Sequence, residues 1–184
     1  YHLPMENSLK AYLRQPVEMR ATDWLVDCVI AAGAFGFGMV QLALFANLFI
    51  PDAVTRTILG IRSIAPTAAE TLFTLVMCLP LVFRRRYPWP VFAMALALWL
   101  AFGAGAGYVS LSVIAVLVAL FTLAYERPNG EAFVALGLAL AAFVVSMALS
   151  STDGFAMFSL FQNATLAIAV TMAGFALHVR QDYL

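Results

Sequence analysis

Apolar residues run almost unbroken through six stretches of the chain, near 24–47, 67–83, 89–105, 108–125, 132–149 and 156–178. A bilayer core of about 30 Å takes about 20 residues of α-helix, so each stretch predicts a membrane-spanning helix. The second and third are short, which predicts a locally thinned bilayer or snorkelling end residues. Strands of a membrane barrel alternate apolar and polar positions over about ten residues, whereas these runs are continuous; helices are predicted instead. Ahead of them, Met5, Leu9, Tyr12 and Leu13 recur at i, i+4, i+7 and i+8, with Glu6, Asn7, Lys10, Arg14 and Gln15 on other faces. Segment 1–21 therefore predicts a short amphipathic helix lying on the membrane surface and ending near Pro16, with a loose tail as the alternative. It carries charges of both signs and lacks the apolar core of a signal peptide.

Composition sharpens this picture. Of 184 residues, 64% are hydrophobic and 11% charged, and the mean hydropathy is +0.93. Soluble domains carry about 45–50% apolar and about 25% charged residues. One small globule cannot hide that excess, which excludes an aqueous enzyme, a nucleic-acid binder and a disordered chain. The expected fold class is an all-α, polytopic membrane protein with six transmembrane helices. Domains are expected as a surface segment 1–21, a membrane unit 22–180 and the start of a further helix at 181–184.

Ten Lys and Arg balance ten Asp and Glu, so net charge implies no partner other than the bilayer. Their distribution is informative. With the N-terminus inside, Lys10, Arg14, Arg20, Arg84, Arg85, Arg86, Arg127 and Arg180 all fall on the cytoplasmic side, and only Arg56 and Arg62 fall outside. The positive-inside bias then predicts that both termini face the cytoplasm of a bacterial plasma membrane, with Arg84, Arg85 and Arg86 as topology anchors. Trp24, Tyr87, Trp89, Tyr125 and Tyr183 form a matching inner aromatic belt, and Tyr108 marks the outer surface.

The outer connections are small: 48–66, the turn at 103–107 and the turn at 150–154. None is long enough for a ligand-binding domain, since domains below about 40 residues rarely hold together unaided. In 48–66, Val54, Ile58 and Ile61 recur at helical spacing among Arg56, Thr57 and Arg62, bracketed by Pro51 and Pro66. A short interfacial helix is expected there, capping the bundle or touching a ligand.

Charges within spans are costly and mark functional sites by default. Asp27 lies about one turn into the first span, where it is expected to reach interfacial water. Thr67-Ala68-Ala69-Glu70 matches a capping box, which makes capping the first reading of Glu70 and ligand contact the second. Gln41, Asn47, Gln162 and Asn163 suit interhelical bonds. No internal repeat, selectivity filter or mid-span acid paired with a base is expected, which sets transport behind other readings. His2 and His178 have no partner at metal-ligand spacing; His178 suits the dipole at the end of its own helix. Cys28 and Cys78 suggest neither a disulfide nor a metal site. The small pairs Ala32/Gly36, Ala34/Gly38, Gly103/Gly107, Gly137/Ala141 and Ala169/Ala173 permit close helix approach, expected mainly within one bundle.

Three stretches carry a resemblance. They are Leu79-Pro80-Leu81-Val82-Phe83-Arg84-Arg85-Arg86-Tyr87-Pro88, then Ala119-Leu120-Phe121-Thr122-Leu123-Ala124-Tyr125-Glu126-Arg127, and finally His178-Val179-Arg180-Gln181-Asp182-Tyr183-Leu184. From about residue 9 onward the chain resembles the N-terminal membrane domain of actinobacterial-type sensor histidine kinases. That resemblance implies a homodimer whose last span continues into a helix bearing the phospho-accepting histidine. An ATP-binding domain using ATP and Mg would follow, acting on a response regulator. His178 does not match the acceptor position, and this chain is expected to hold no catalytic, cofactor or metal site. A first residue other than Met and a last helix without a stop signal suggest a fragment. Under this reading Arg56, Arg62 and Glu70 are candidate signal contacts, and His178 and Arg180 couple to the cytoplasm. The alternatives are a non-enzymatic subunit docking to a transporter and a small permease.

Overall fold

The computed structural model describes residues 20–44, 68–106, 112–127, 129–149 and 153–182. All of its regular structure is helical. In chain order the helices are α1 (Ala21–Leu44), α2 (Ala68–Cys78), α3 (Pro88–Ala106), α4 (Ile114–Glu126), α5 (Asn129–Leu149) and α6 (Asp153–Asp182), with a 3-10 turn, Leu79–Phe83, after α2. They fall on the six apolar runs. Three are long and apolar enough to cross a membrane: Ala21–Ala43, Gly130–Leu149 and Met157–Arg180; Ala68–Phe83, Pro88–Phe102 and Ile114–Glu126 are shorter. Of the segment 1–21 expected to form a surface helix, residues 1–19 lie outside the described residues, as do the 48–66 connection with Arg56 and Arg62, Asn47 and Thr67.

Prolines set several boundaries. Pro80 has no N–H to give the carbonyl one helical turn back, so α2 tightens into the 3-10 turn around it. Pro88 opens α3 at the first helical position, where a missing N–H does no harm. Arg127, just ahead of Pro128, is extended (φ −123°, ψ 156°) and ends α4, as the residue before a proline prefers.

The centre is α4. Ala115, Val116, Leu117, Ala119, Leu120, Thr122, Leu123 and Ala124 are all buried, because α1, α3, α5, α6 and the 3-10 turn pack around it. A helix apolar on every side needs such an enclosure. The surrounding helices present small residues inward: Ala31, Ala34 and Gly38 from α1, Ala132, Ala135, Ala139 and Ala142 from α5, Ala167 and Gly174 from α6. Large side chains face out instead, Leu25 at 66% exposure, Phe158 at 63% and Phe161 at 68%. This inverted surface is what a lipid solvent requires and an aqueous one penalises.

Small-residue pairing departs from expectation. Ala34/Gly38 packs inside, where a Cβ on Gly38 would lie 2.9 Å from Thr74 Cγ2. Ala32/Gly36, Gly137/Ala141 and Ala169/Ala173 instead lie on outward faces, and a Cβ on Gly36 or Gly137 would meet nothing within 4 Å. Spacing by four recurs on every face of a helix, so the pair motif alone does not say which face is inward. Aromatic contacts fill the remaining interior: Trp99 meets Phe143 edge-on at 5.2 Å, and Phe73 stacks on Phe102 at 4.1 Å.

Candidate functional site

Along α1 the buried positions are Asp27, Ala31, Ala34, Gly38 and Leu42, one continuous helical stripe. Asp27 therefore points into the bundle with 0% exposure and does not reach interfacial water. One turn earlier, Asp23 accepts the Arg20 backbone N–H at 3.1 Å, which closes the start of the helix.

The tight turn after Phe83 delivers the partners. Arg84 N bonds Leu81 O at 3.2 Å, and Tyr87 N bonds Phe83 O at 2.9 Å, a tight turn that carries three consecutive guanidiniums. Arg84 goes inward: its Nε donates to Asp27 Oδ1 at 2.9 Å and its Nη1 to Thr122 Oγ1 at 3.2 Å. Arg85 runs alongside, with Nε on the same Asp27 oxygen at 3.1 Å and Nη1 on Asp23 Oδ1 at 3.4 Å. Arg86 turns out and lies 5.4 Å from the centre of the Tyr87 ring. Two carboxylates thus answer two guanidiniums. Asp27 Oδ2, however, is buried and has no hydrogen-bond partner among the described residues. An unpaired buried acceptor of this kind weighs against the fold by about 1–3 kcal/mol.

Asp27, expected at interfacial water, is instead buried and paired with Arg84, which at 8% exposure is itself an interior residue. The signal was present: Asp27 falls on the same stripe as Ala31, Ala34 and Gly38. Its partner lies 57 residues away, at a distance that helical periodicity does not relate.

Thr122 carries the network into α4. Its hydroxyl donates to Val118 O at 2.8 Å, leaving lone pairs for Arg84. On a neighbouring face of the same turn, α4 touches α6 through backbone: a Cβ on Gly174 would lie 2.9 Å from Ala124 Cβ and 3.0 Å from Phe121 O. One turn further on, His178 Nδ1 sits 2.8 Å from Tyr125 O. A carbonyl only accepts, so Nδ1 carries the proton. Tyr125 O belongs to the last turn of α4, where carbonyls lack an intrahelical partner. His178 therefore serves the end of α4, not only the dipole of its own helix. Asp27, Arg84, Thr122, Tyr125 and His178 together join α1, the turn, α4 and α6 at one end of the bundle.

The other candidate residues are dispersed. Glu70 is buried at 7% exposure in the first turn of α2, with its carbonyl accepting Thr74 Oγ1 at 2.8 Å. Arg180 is exposed on α6 two residues beyond His178. Asn163 Nδ2 bonds Ser159 Oγ at 3.4 Å within α6, and Gln162 is exposed. Trp89 Nε1 donates to Glu131 Oε2 at 2.6 Å, tying α3 to the first turn of α5. Among the described residues no group of three or more His, Cys, Asp or Glu could hold a metal ion, and Cys28 and Cys78 are free, exposed and buried respectively. The arrangement has no nucleophile with an adjacent base. What it does chemically is hold four elements together through charge.

Comparison with known proteins adds one assignment. Residues 17–180 match the model of a domain of unknown function, DUF7134, and the chain belongs to that family. No curated protein and no solved structure matches it.

Proposed function

We propose that this domain is the membrane sensor and transmitter module of a two-component histidine kinase. The observation that carries the reading is the last helix. At 30 residues, α6 is the longest, and at about 45 Å it outreaches a bilayer core of about 30 Å. It is also fixed against the central helix at Gly174 and His178. A helix so placed can carry a change in bundle packing out of the membrane. The motif stretches around Arg84–Arg85–Arg86, Tyr125 and His178 supply the resemblance to actinobacterial-type sensor kinases, and the network joins these stretches at one end.

In this reading all six helices cross a bacterial plasma membrane, both termini are cytoplasmic, and the network end faces the cytoplasm. The clustering there of Arg84, Arg85, Arg86, Arg127 and Arg180 supports that orientation. Of the shorter helices, α4 crosses inside the bundle, shielded by its neighbours, while α2 and α3 each keep one face to the lipid. A homodimer is supported by the outward pairs Ala32/Gly36, Gly137/Ala141 and Ala169/Ala173, which allow a second copy to approach closely. Signal contact falls to Arg56, Arg62 and Glu70, and coupling to His178 and Arg180. A differential of about 1–3 kcal/mol between two packings changes their ratio about 5–150-fold, which suffices for a switch. ATP, Mg and a response regulator belong to the kinase region; no residue of this chain is given a role in that chemistry.

The test is the native reading frame beyond Leu184, with intact mass of the native protein. A helical continuation bearing an acceptor histidine and an ATP-binding domain is the expected result. A native chain ending at Leu184 removes the kinase reading and puts co-purification with a transporter in its place.

A further inference from the structure

The Arg84–Arg86 turn leaves positive charge over. Arg84 is spent on Asp27 inside the bundle, and Arg85 shares Asp27 and Asp23, the latter at the long distance of 3.4 Å. Arg85 and Asp23 remain about one-third open, with side-chain exposures of 32% and 37%. Arg86 is exposed and has no carboxylate partner among the described residues; only the Tyr87 ring faces it. Arg20, whose backbone N–H meets the same Asp23, is exposed as well. The half-open Asp23 carboxylate thus holds the Arg85 guanidinium and the Arg20 backbone N–H, and Arg86 follows Arg85 in the same turn with its guanidinium uncommitted to any described carboxylate.

An apolar track leads away from this cluster. Leu72, Leu75, Leu79 and Phe83 follow one another at helical spacing along α2 and the 3-10 turn, all exposed, and Phe83 is backed by Trp24 edge-on at 5.5 Å. Cations at one end and a continuous apolar strip at the other match an amphiphile with an anionic head. Guanidiniums favour phosphate because their N–H groups pair with its oxygens, and a desolvated membrane boundary strengthens that pairing.

We propose that Arg85 and Arg86, with Arg20, bind the phosphate of an anionic phospholipid whose acyl chain lies along Phe83, Leu79, Leu75 and Leu72. The headgroup takes Arg85 from its long contact with Asp23, while the buried Arg84–Asp27 pair stays closed. The site rests on the membrane reading of the chain and is independent of any kinase.

Native mass spectrometry of the full chain tests this, with dioleoyl-phosphatidylglycerol, dioleoyl-phosphatidylcholine and inorganic phosphate as separate probes. One phosphatidylglycerol per chain is expected to remain bound, with phosphatidylcholine retained at least five-fold less. Arg86→Gln should lower phosphatidylglycerol retention at least five-fold and Arg85→Gln with Arg86→Gln further, while Arg180→Gln leaves it unchanged. Arg86 makes no ion pair within the described bundle, so its single variant keeps the fold even if the double variant does not. Equal retention of the two lipids, an unchanged Arg86→Gln, or displacement of the lipid by equimolar phosphate each overturns the proposal. A reading frame that stops at Leu184 alters none of these outcomes.

Discussion

Asp27 and Arg84, 57 residues apart in the chain, meet at 2.9 Å in the interior of a bundle whose outer face is almost wholly apolar. Asp27 has only the half-open Arg85 besides, and Arg84 only the neutral Thr122 hydroxyl, so each depends heavily on the other. Removing one partner of a buried pair costs about 3–5 kcal/mol, whereas replacing both by apolar groups of similar size is often neutral. Asp27→Asn is therefore expected to destabilise the bundle by about 3–5 kcal/mol. Asp27→Leu with Arg84→Met should recover much of that loss. Chemical unfolding in micelles, compared across the single and double variants, measures the difference; additive losses would show that the pair does not act as a unit.

Gly174 gives a purely steric test. A methyl group there meets Ala124 and the Phe121 carbonyl, and backbone does not move aside cheaply. Gly174→Ala should cost about 1–3 kcal/mol as overpacking. Gly33→Ala, where a Cβ meets nothing within 4 Å, should be neutral or slightly stabilising, because alanine is the better helix former by about 1 kcal/mol. Thermal midpoints of the two variants in the same detergent give opposite signs if α4 and α6 touch as described.

His178 tests the link between those helices. His178→Leu fills the same space but leaves the Tyr125 carbonyl without its donor. The expected loss is about 0.5–1.5 kcal/mol, small globally but concentrated locally. Hydrogen exchange should quicken for the amides of 175–180 and stay near wild type in α1. Uniform acceleration along the chain would point to general unfolding instead.

The proposed signalling role makes a separate prediction. Arg56→Ala with Arg62→Ala should alter the dose–response of a reporter strain without loss of membrane expression. An unchanged curve removes the 48–66 connection from the sensing surface.

Much of the architecture was legible because the helix is the only local way to satisfy a backbone in lipid. Six apolar runs became six helices, and Pro80, Pro88 and Pro128 marked ends that follow from missing N–H groups and restricted dihedrals. The site was legible in part. Arg84–Arg85–Arg86 stood out as a cluster, but a row of like charges reads as a surface, and only the tight turn at 84–86 brings the first two onto Asp27 and leaves the third outside. Asp27 was visible as an acid in a span, yet its burial depends on which stripe of α1 faces α4. The outward course of Ala32/Gly36 and Ala169/Ala173 escaped for the same reason. Rotation about a helix axis is set by neighbours distant in sequence, and one chain without its contacts does not fix it.

The enclosure of α4 bears on how the protein is made. At 13 residues this helix spans only about 20 Å, too little to hold a place in hydrocarbon by itself. Its most extensive partner, α6, is made after it, with α5 in between. Until that helix arrives, the ribosome-bound intermediate carries a half-clothed centre, with the Phe121–Ala124 face open and the Tyr125 carbonyl still lacking His178. The centre is thus closed only once α6 is in place, and a chain cut short before it would be handed to membrane quality control.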